Sequence, residues 1–405
     1  MVGSRKAGHH GWQPPVLGHT LERWRFLPRH PDAVVVIASC LVGCAICQSK
    51  EPDHVTIGAI RWDAWHAPVA GEEHGATGGP VKAMEASLNP KQYRHRAPFF
   101  ARVDAGGALR INGYTQQIVD REIAYAKAGG IDYWAFLLYD EGNVMSQGLS
   151  LYLRSSKRKD VHFCAIASPG TFGAEANWPT GIGRIVRLMR EPGYQTACGG
   201  RPLLYVFRVG DKWVQAWGGP AGARKLFDGL RSAVRATGVG DPYLVVMEDT
   251  AVQAKRTADV IGAQALSDYA RSGNGMGAPY SDLTAKARAA WEEWATTGVQ
   301  VVPLVMAGWD RRPRVEHPVP WEPYQRAGVG LDKFYAAPTP RELAAHIGEA
   351  MDWVEARPEK CPAKTVIVYA WNEHDEGGWL CPDLGQGDAR LKAIRDMLEQ
   401  RPDGQ

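Results

Sequence analysis

Val366-Ile367-Val368-Tyr369-Ala370-Trp371-Asn372-Glu373-His374-Asp375-Glu376-Gly377 is the stretch on which the fold turns. An apolar, β-branched run stops abruptly and releases two glutamates three residues apart, bracketed by Trp371 and Trp379. A run without polar alternation predicts a strand covered on both faces, as in a parallel sheet wrapped by helices. Its acidic end has two readings. One is a solvated turn, which short acidic motifs often are; the other is a pair of carboxylates presented at a barrel mouth.

Working N-terminally, the same kind of run recurs. Strands are expected at residues 55–61, 133–139, 161–167, 203–208, 243–247, 263–266, 299–305 and 365–370, with amphipathic helical patterns at 115–128, 223–236, 281–297 and 339–355. Thr115 is placed to cap a helix, Gly129-Gly130 to stop it, and Pro340 to open another. Eight strands, most of them followed by a helical pattern, predict an α/β chain with a (β/α)8 TIM barrel as its single catalytic domain, spanning 51–405. A doubly wound open sheet would place a glycine-rich phosphate turn after the first strand, and none stands there. That strand is followed instead by a long stretch without a convincing helix, which predicts a functional loop carrying Trp62, Asp63, Trp65, His66 and Tyr93 to Arg96.

Composition narrows the partners. At 405 residues, 45% apolar and a net charge of +3, the chain can bury a large core and shows no basic stripe for nucleic acid. Its 15 Trp and 14 Tyr serve either the core or, as flat platforms, a sugar cleft. Residues 1–31 are polar and lack an apolar period; Ala33 to Cys44 then fits the hydrophobic core of an export signal. Leu41-Val42-Gly43-Cys44 resembles a bacterial lipobox with Cys44 as the lipidation site. Residues 1–50 therefore read as an export signal and tether, and the protein as a surface or periplasmic lipoprotein or a secreted one. A buried strand carrying cysteines is the alternative. Cys361 and Cys381 flank the last strand and either staple it or pack as small hydrophobes. No pair of Cys-x-x-Cys motifs and no His cluster has zinc spacing, and no cofactor is implied.

At the strand ends, where a barrel carries its chemistry, stand Trp62, Asp63 and Trp65-His66, then Tyr139, Glu248-Asp249, Asp268-Tyr269, Trp309-Asp310, and Asn372-Glu373 with Glu376. Helix capping accounts for some of these acids. Glycoside cleavage needs one carboxylic acid for the departing oxygen and a second carboxylate as base or nucleophile. Glu373 and Glu376 are the candidate catalytic pair. Candidate substrate contacts are Trp62, Asp63, Trp65, His66, Tyr139, Trp309, Asp310, Trp371 and Asn372.

Ala370 to Gly377 followed by Pro382-Asp383 resembles the terminal motif of glycoside hydrolase family 99 and its WbsX-like relatives. Trp65-His66, residues 118–139, Arg201 to Tyr205, and Gly308-Trp309-Asp310 with Pro313-Arg314 are similar in the same order. The resemblance implies a (β/α)8 barrel and retaining, endo-acting hydrolysis of α-mannosides in an oligo- or polysaccharide. It assigns Glu373 as the base that activates the sugar 2-hydroxyl and Glu376 as the acid/base, with no metal. His374-Asp375, Cys381 and Arg311-Arg312 depart from the usual pattern and imply a different sugar. A barrel that binds glycans without cleaving them is the other reading.

Overall fold

The structure, a computed structural model, describes residues 54–66 and 79–401; the expected export segment, with Cys44, falls outside the described residues. The barrel wall is β1 (Thr56–Arg61), β2 (Tyr133–Leu137), β3 (His162–Ala167), β4 (Arg201–Phe207), β5 (Tyr243–Met247), β6 (Ala265–Ser267), β7 (Gln300–Val301, continuing as Leu304–Met306) and β8 (Thr365–Tyr369). All neighbours are parallel, and β8 returns to β1 in the register Thr56↔Thr365. Each expected strand is present.

β7 joins the ends of the sheet. Its first half pairs with β6 and its second half with β8. Pro303 sits at the change of partner, where it has no N–H to offer; its carbonyl accepts from Ile367 N at 3.0 Å. The strands are buried on both faces because helices cover the outside and side chains fill the inside. Low in the barrel, the Tyr133 hydroxyl meets those of Tyr205 at 2.8 Å and Thr365 at 2.9 Å. A Cβ on Gly58 would lie 2.1 Å from the Tyr133 ring, so only glycine admits that ring.

The outer layer is α1 (Gln116–Ala128), α2 (Gln147–Arg154), α3 (Trp178–Met189), α4 (Gly219–Arg235), α5 (Ala251–Ile261), α6 (Tyr280–Ala295), α7 (Pro340–Glu355) and α8 (Ala389–Glu399). Thr115 caps α1, and a Thr339/Glu342 capping box opens α7. α4 contains Gly222 and Gly229, each costing about 1 kcal/mol of helix propensity. Burial of Leu226, Phe227, Leu230 and Val234, worth about 1.5–3 kcal/mol each, outweighs that. Packing decides this helix.

The long segment after β1 is more ordered than its sequence suggests. It holds a helix, Gly79–Leu88, and a hairpin of Arg102–Val103 with Leu109–Arg110. This segment straps the loop after β8: Phe99 N donates to Pro382 O at 2.8 Å and Leu384 N to Ala97 O at 2.9 Å. Cys361 and Cys381 are free thiols, so backbone bonds hold that loop and no disulfide does. Among the described residues, no helix is long and apolar enough to cross a membrane.

Candidate active site

The two glutamates sit on one tight hairpin. β8 ends at Tyr369, and Asn372–Glu373 then pairs antiparallel with Gly378–Trp379. Glu376 N donates to Glu373 O at 3.2 Å, closing a turn that brings both side chains to one place. Gly377 makes the turn possible: its φ is +86°, and a Cβ there would lie 2.4 Å from Asp310 N. Asp310 N in turn donates to Glu376 O at 2.7 Å, tying the hairpin to the end of β7.

One arginine organises the pair. Arg314, buried on the short helix Arg312–Glu316, donates to Glu373 Oε2 at 3.1 Å and also to Glu376 Oε1. It is itself held by Asp375 through two bonds of 2.6 and 3.1 Å and by Glu322 at 3.3 Å. Arg311 adds a second guanidinium, with Nε 3.1 Å from Glu376 Oε1. Tyr369 donates to the other oxygen of Glu376, and Tyr269 reaches Glu373 Oε1 at 3.4 Å. Four carboxylates therefore surround two cations, and the imbalance falls on one member of the pair. Burial and the neighbouring Glu376 charge push Glu373 well above the usual carboxylate range. Burial also pushes Glu376 up, but Arg314, Arg311 and the Tyr369 hydroxyl outweigh it and leave Glu376 below its ordinary value. The two environments therefore push the members of the pair in opposite directions. His374, between them, is driven by burial down to about 4, so it is neutral and bonded through Nδ1 to Arg96 O at 2.6 Å.

The sequence-derived contact residues divide into two groups. Trp62, Tyr139 and Trp309 lie close to the glutamates. The Trp62 indole donates to the Tyr139 hydroxyl at 2.7 Å and faces Arg314 at 5.1 Å; Trp309 packs against Tyr369 at 5.8 Å. Tyr139 and Trp309 keep some exposure. Asp63, Trp65, His66, Asp310, Trp371 and Asn372 are buried, and their polar groups are engaged by protein. Asn372 takes both backbone groups of Trp62, at 2.8 and 2.9 Å. Trp65 donates to Asn372 O at 3.2 Å. Asp310 holds Arg96 and Arg312, the latter at 2.6 and 2.8 Å. Asp63 and Glu122 of α1 flank Arg61 at 2.7 and 2.9 Å, His66 lies 3.3 Å from Glu122, and Trp371 donates to Glu122 at 2.9 Å. These residues brace the ends of β1 and β8 from beneath.

Sequence reasoning did not single out Arg314, Glu322, Tyr369, Trp321 or Tyr324 as site residues. Trp321 packs edge-on against Trp62 at 5.4 Å, and Tyr324 is exposed beside Glu322. The Pro313-Arg314 pair was the available signal. Among the described residues, no group of three or more His, Cys, Asp or Glu is disposed to hold a metal ion.

No protein-family model matches the chain. It is 29% identical over 243 residues to an uncharacterized protein, WxcX, of Xanthomonas campestris pv. campestris, a match covering 55% of this chain and 30% of that protein. The fold is shared with the family 99 endo-α-mannosidase of Bacteroides thetaiotaomicron, at a TM-score of 0.52 and 14% identity over 85% of this chain and 96% of that one. The same enzyme in complex with bis-tris-propane gives 0.52 at 15% identity over the same shares.

Proposed function

We propose that this barrel, glycosidase-like in fold, is a retaining glycoside hydrolase that uses the Glu373/Glu376 pair on an α-linked, mannan-like glycan. The observation that carries this reading is the pair itself. Two carboxylates on one turn share an arginine, lie at the barrel's catalytic end among Trp62, Trp309 and Trp321, and are pushed in opposite directions by their surroundings. Such a pair supplies both halves of the chemistry: the protonated partner serves the leaving oxygen, and the charged one takes a proton or attacks. Likeness in fold to an endo-α-mannosidase supports an endo-acting role.

Two divisions of labour fit this pair. The resemblance of the terminal motif gives Glu373 the base role, whereas burial beside the Glu376 charge, which raises Glu373, favours Glu373 as acid and Glu376 as base. Aryl glycosides with an activated leaving group separate them, since such substrates need no acid. The variant that they rescue, Glu373→Gln or Glu376→Gln, has lost the acid. If neither substitution lowers reducing-end release, the pair is not catalytic.

A second reading draws on Arg314. Carboxylates held this firmly by a guanidinium suit a glycan-binding protein without turnover. Binding of a polysaccharide panel with no reducing ends released from any member decides for it. Export and lipidation at Cys44 belong to the same proposal, and the mass of the mature N-terminus tests them.

A further inference from the structure

One side of the mouth carries two further guanidiniums, those of Arg208 and Arg311. Arg208, the residue after β4, has a φ of +47°, a left-handed conformation that side chains other than glycine and asparagine seldom adopt. Its N–H is fixed to Met247 O at 2.9 Å, which holds the backbone in that state. Non-glycine residues kept there cluster at functional sites. The guanidinium lies over Phe207 at 5.2 Å, and Phe207 packs on Tyr269, the tyrosine that reaches Glu373. Its only ion-pair partner among the described residues is Asp249, at 2.8 Å and with a side chain 59% exposed. Its Nε is buried without a hydrogen bond. From the β7 side comes Arg311, partly exposed, over Trp309 at 5.9 Å and in contact with Glu376. Tyr324, two residues beyond Glu322, the other ion-pair partner of Arg311, is exposed on the same segment.

We propose that the sugar position beside Glu376 takes an acidic unit, a uronic acid whose carboxylate is received by Arg208 and Arg311 next to Tyr324. This deepens the hydrolase reading and rests on it. Among the described residues Arg208 is ion-paired only with the exposed carboxylate of Asp249, a ligand that a substrate carboxylate can replace. A planar guanidinium suits a carboxylate, and a neutral hexose offers it no charge.

The test measures binding of methyl glucuronide, galacturonide and mannuronide to the whole protein by NMR titration, each against its neutral hexoside. At least one uronide should bind about tenfold more tightly than its hexoside, and added salt should shrink the margin. Arg208→Asn, which tolerates the left-handed backbone, should erase the margin while melting no lower than wild type. Asp249→Asn frees Arg208 and should strengthen uronide binding severalfold. Hexosides bound as tightly as uronides, a margin that survives in a folded Arg208→Asn, or an Asp249→Asn that binds no better each overturn the proposal. Turnover is read separately from reducing-end release. A uronide margin without turnover sinks the hydrolase reading, and turnover without a margin sinks this one.

Discussion

Two buried ionic networks lie side by side at the ends of β1 and β8, and they are built to opposite rules. In the lower one, Arg61 is enclosed by Asp63 and Glu122, with all three side chains at most 2% exposed. Burial pushes Glu122 up, but the Arg61 charge and bonds from His66 and Trp371 bring it down to about 2. In the upper one, Arg314 faces more carboxylates than it neutralises, and Glu373 is left high while Glu376 is held low. Both networks hold two carboxylates for each guanidinium, so neither burial nor the count of charges separates brace from site. Placement does: Glu122 takes donors on both oxygens, from Arg61 and Trp371, and falls, whereas Glu373 sits against the Glu376 charge and rises.

The sharpest way to break this comparison is Glu376→Gln. It should cut turnover about 10²–10⁴-fold while leaving the melting temperature near wild type, in a reducing-end assay paired with calorimetry. Arg61→Met should do the reverse. It leaves Asp63 and Glu122 buried without their cation and should cost about 3–5 kcal/mol in denaturant unfolding. A loss much below that would mean water reaches the lower network.

Next come two pH signatures of opposite sign. Glu122 has a folded pKa of about 2 against an ordinary 4.5, so its contribution is complete above about 4.5 and is lost as pH falls toward about 2. Glu122→Gln should therefore destabilise at neutral pH and matter little near pH 2. Glu373 is raised instead, so the folded state holds a proton that the unfolded chain releases, and stability falls as pH rises above the ordinary glutamate value. Glu373→Gln should stabilise at pH 8 and be neutral near pH 4. Melting curves across that range that move the two variants in the same direction would refute the distinction. Thr250→Ala, which removes the cap of α5 outside both networks and touches no carboxylate through its hydroxyl, should cost only about 1 kcal/mol with little pH dependence, and so serves as the baseline.

How much of this could be read beforehand follows from distance along the chain. The strands were legible because each is a short apolar run covered on both faces, a local pattern. The glutamate turn was legible for the same reason. What the run could not reveal is which polar residues just beyond a strand face the mouth. Trp371 and Asn372 are adjacent, yet one points to Glu122 on α1 and the other to Trp62. Their partners are 249 and 310 residues away, beyond any local pattern. His66 and Asp310 looked like ligands because they are polar at strand ends; their partners, Glu122 on α1 and Arg96 in the loop after β1, stand 56 and 214 residues away. Arg314 was visible as a motif residue, but its role depends on Asp375 and Glu376 meeting it from across the loop.

The hydroxyls of Tyr133, Tyr205 and Thr365 close the bottom of the barrel. With that end plugged by bonded side chains and the inside filled, no polymer can thread through the barrel. Any chain that meets Glu373 and Glu376 has to come to them from the opposite rim and lie across it.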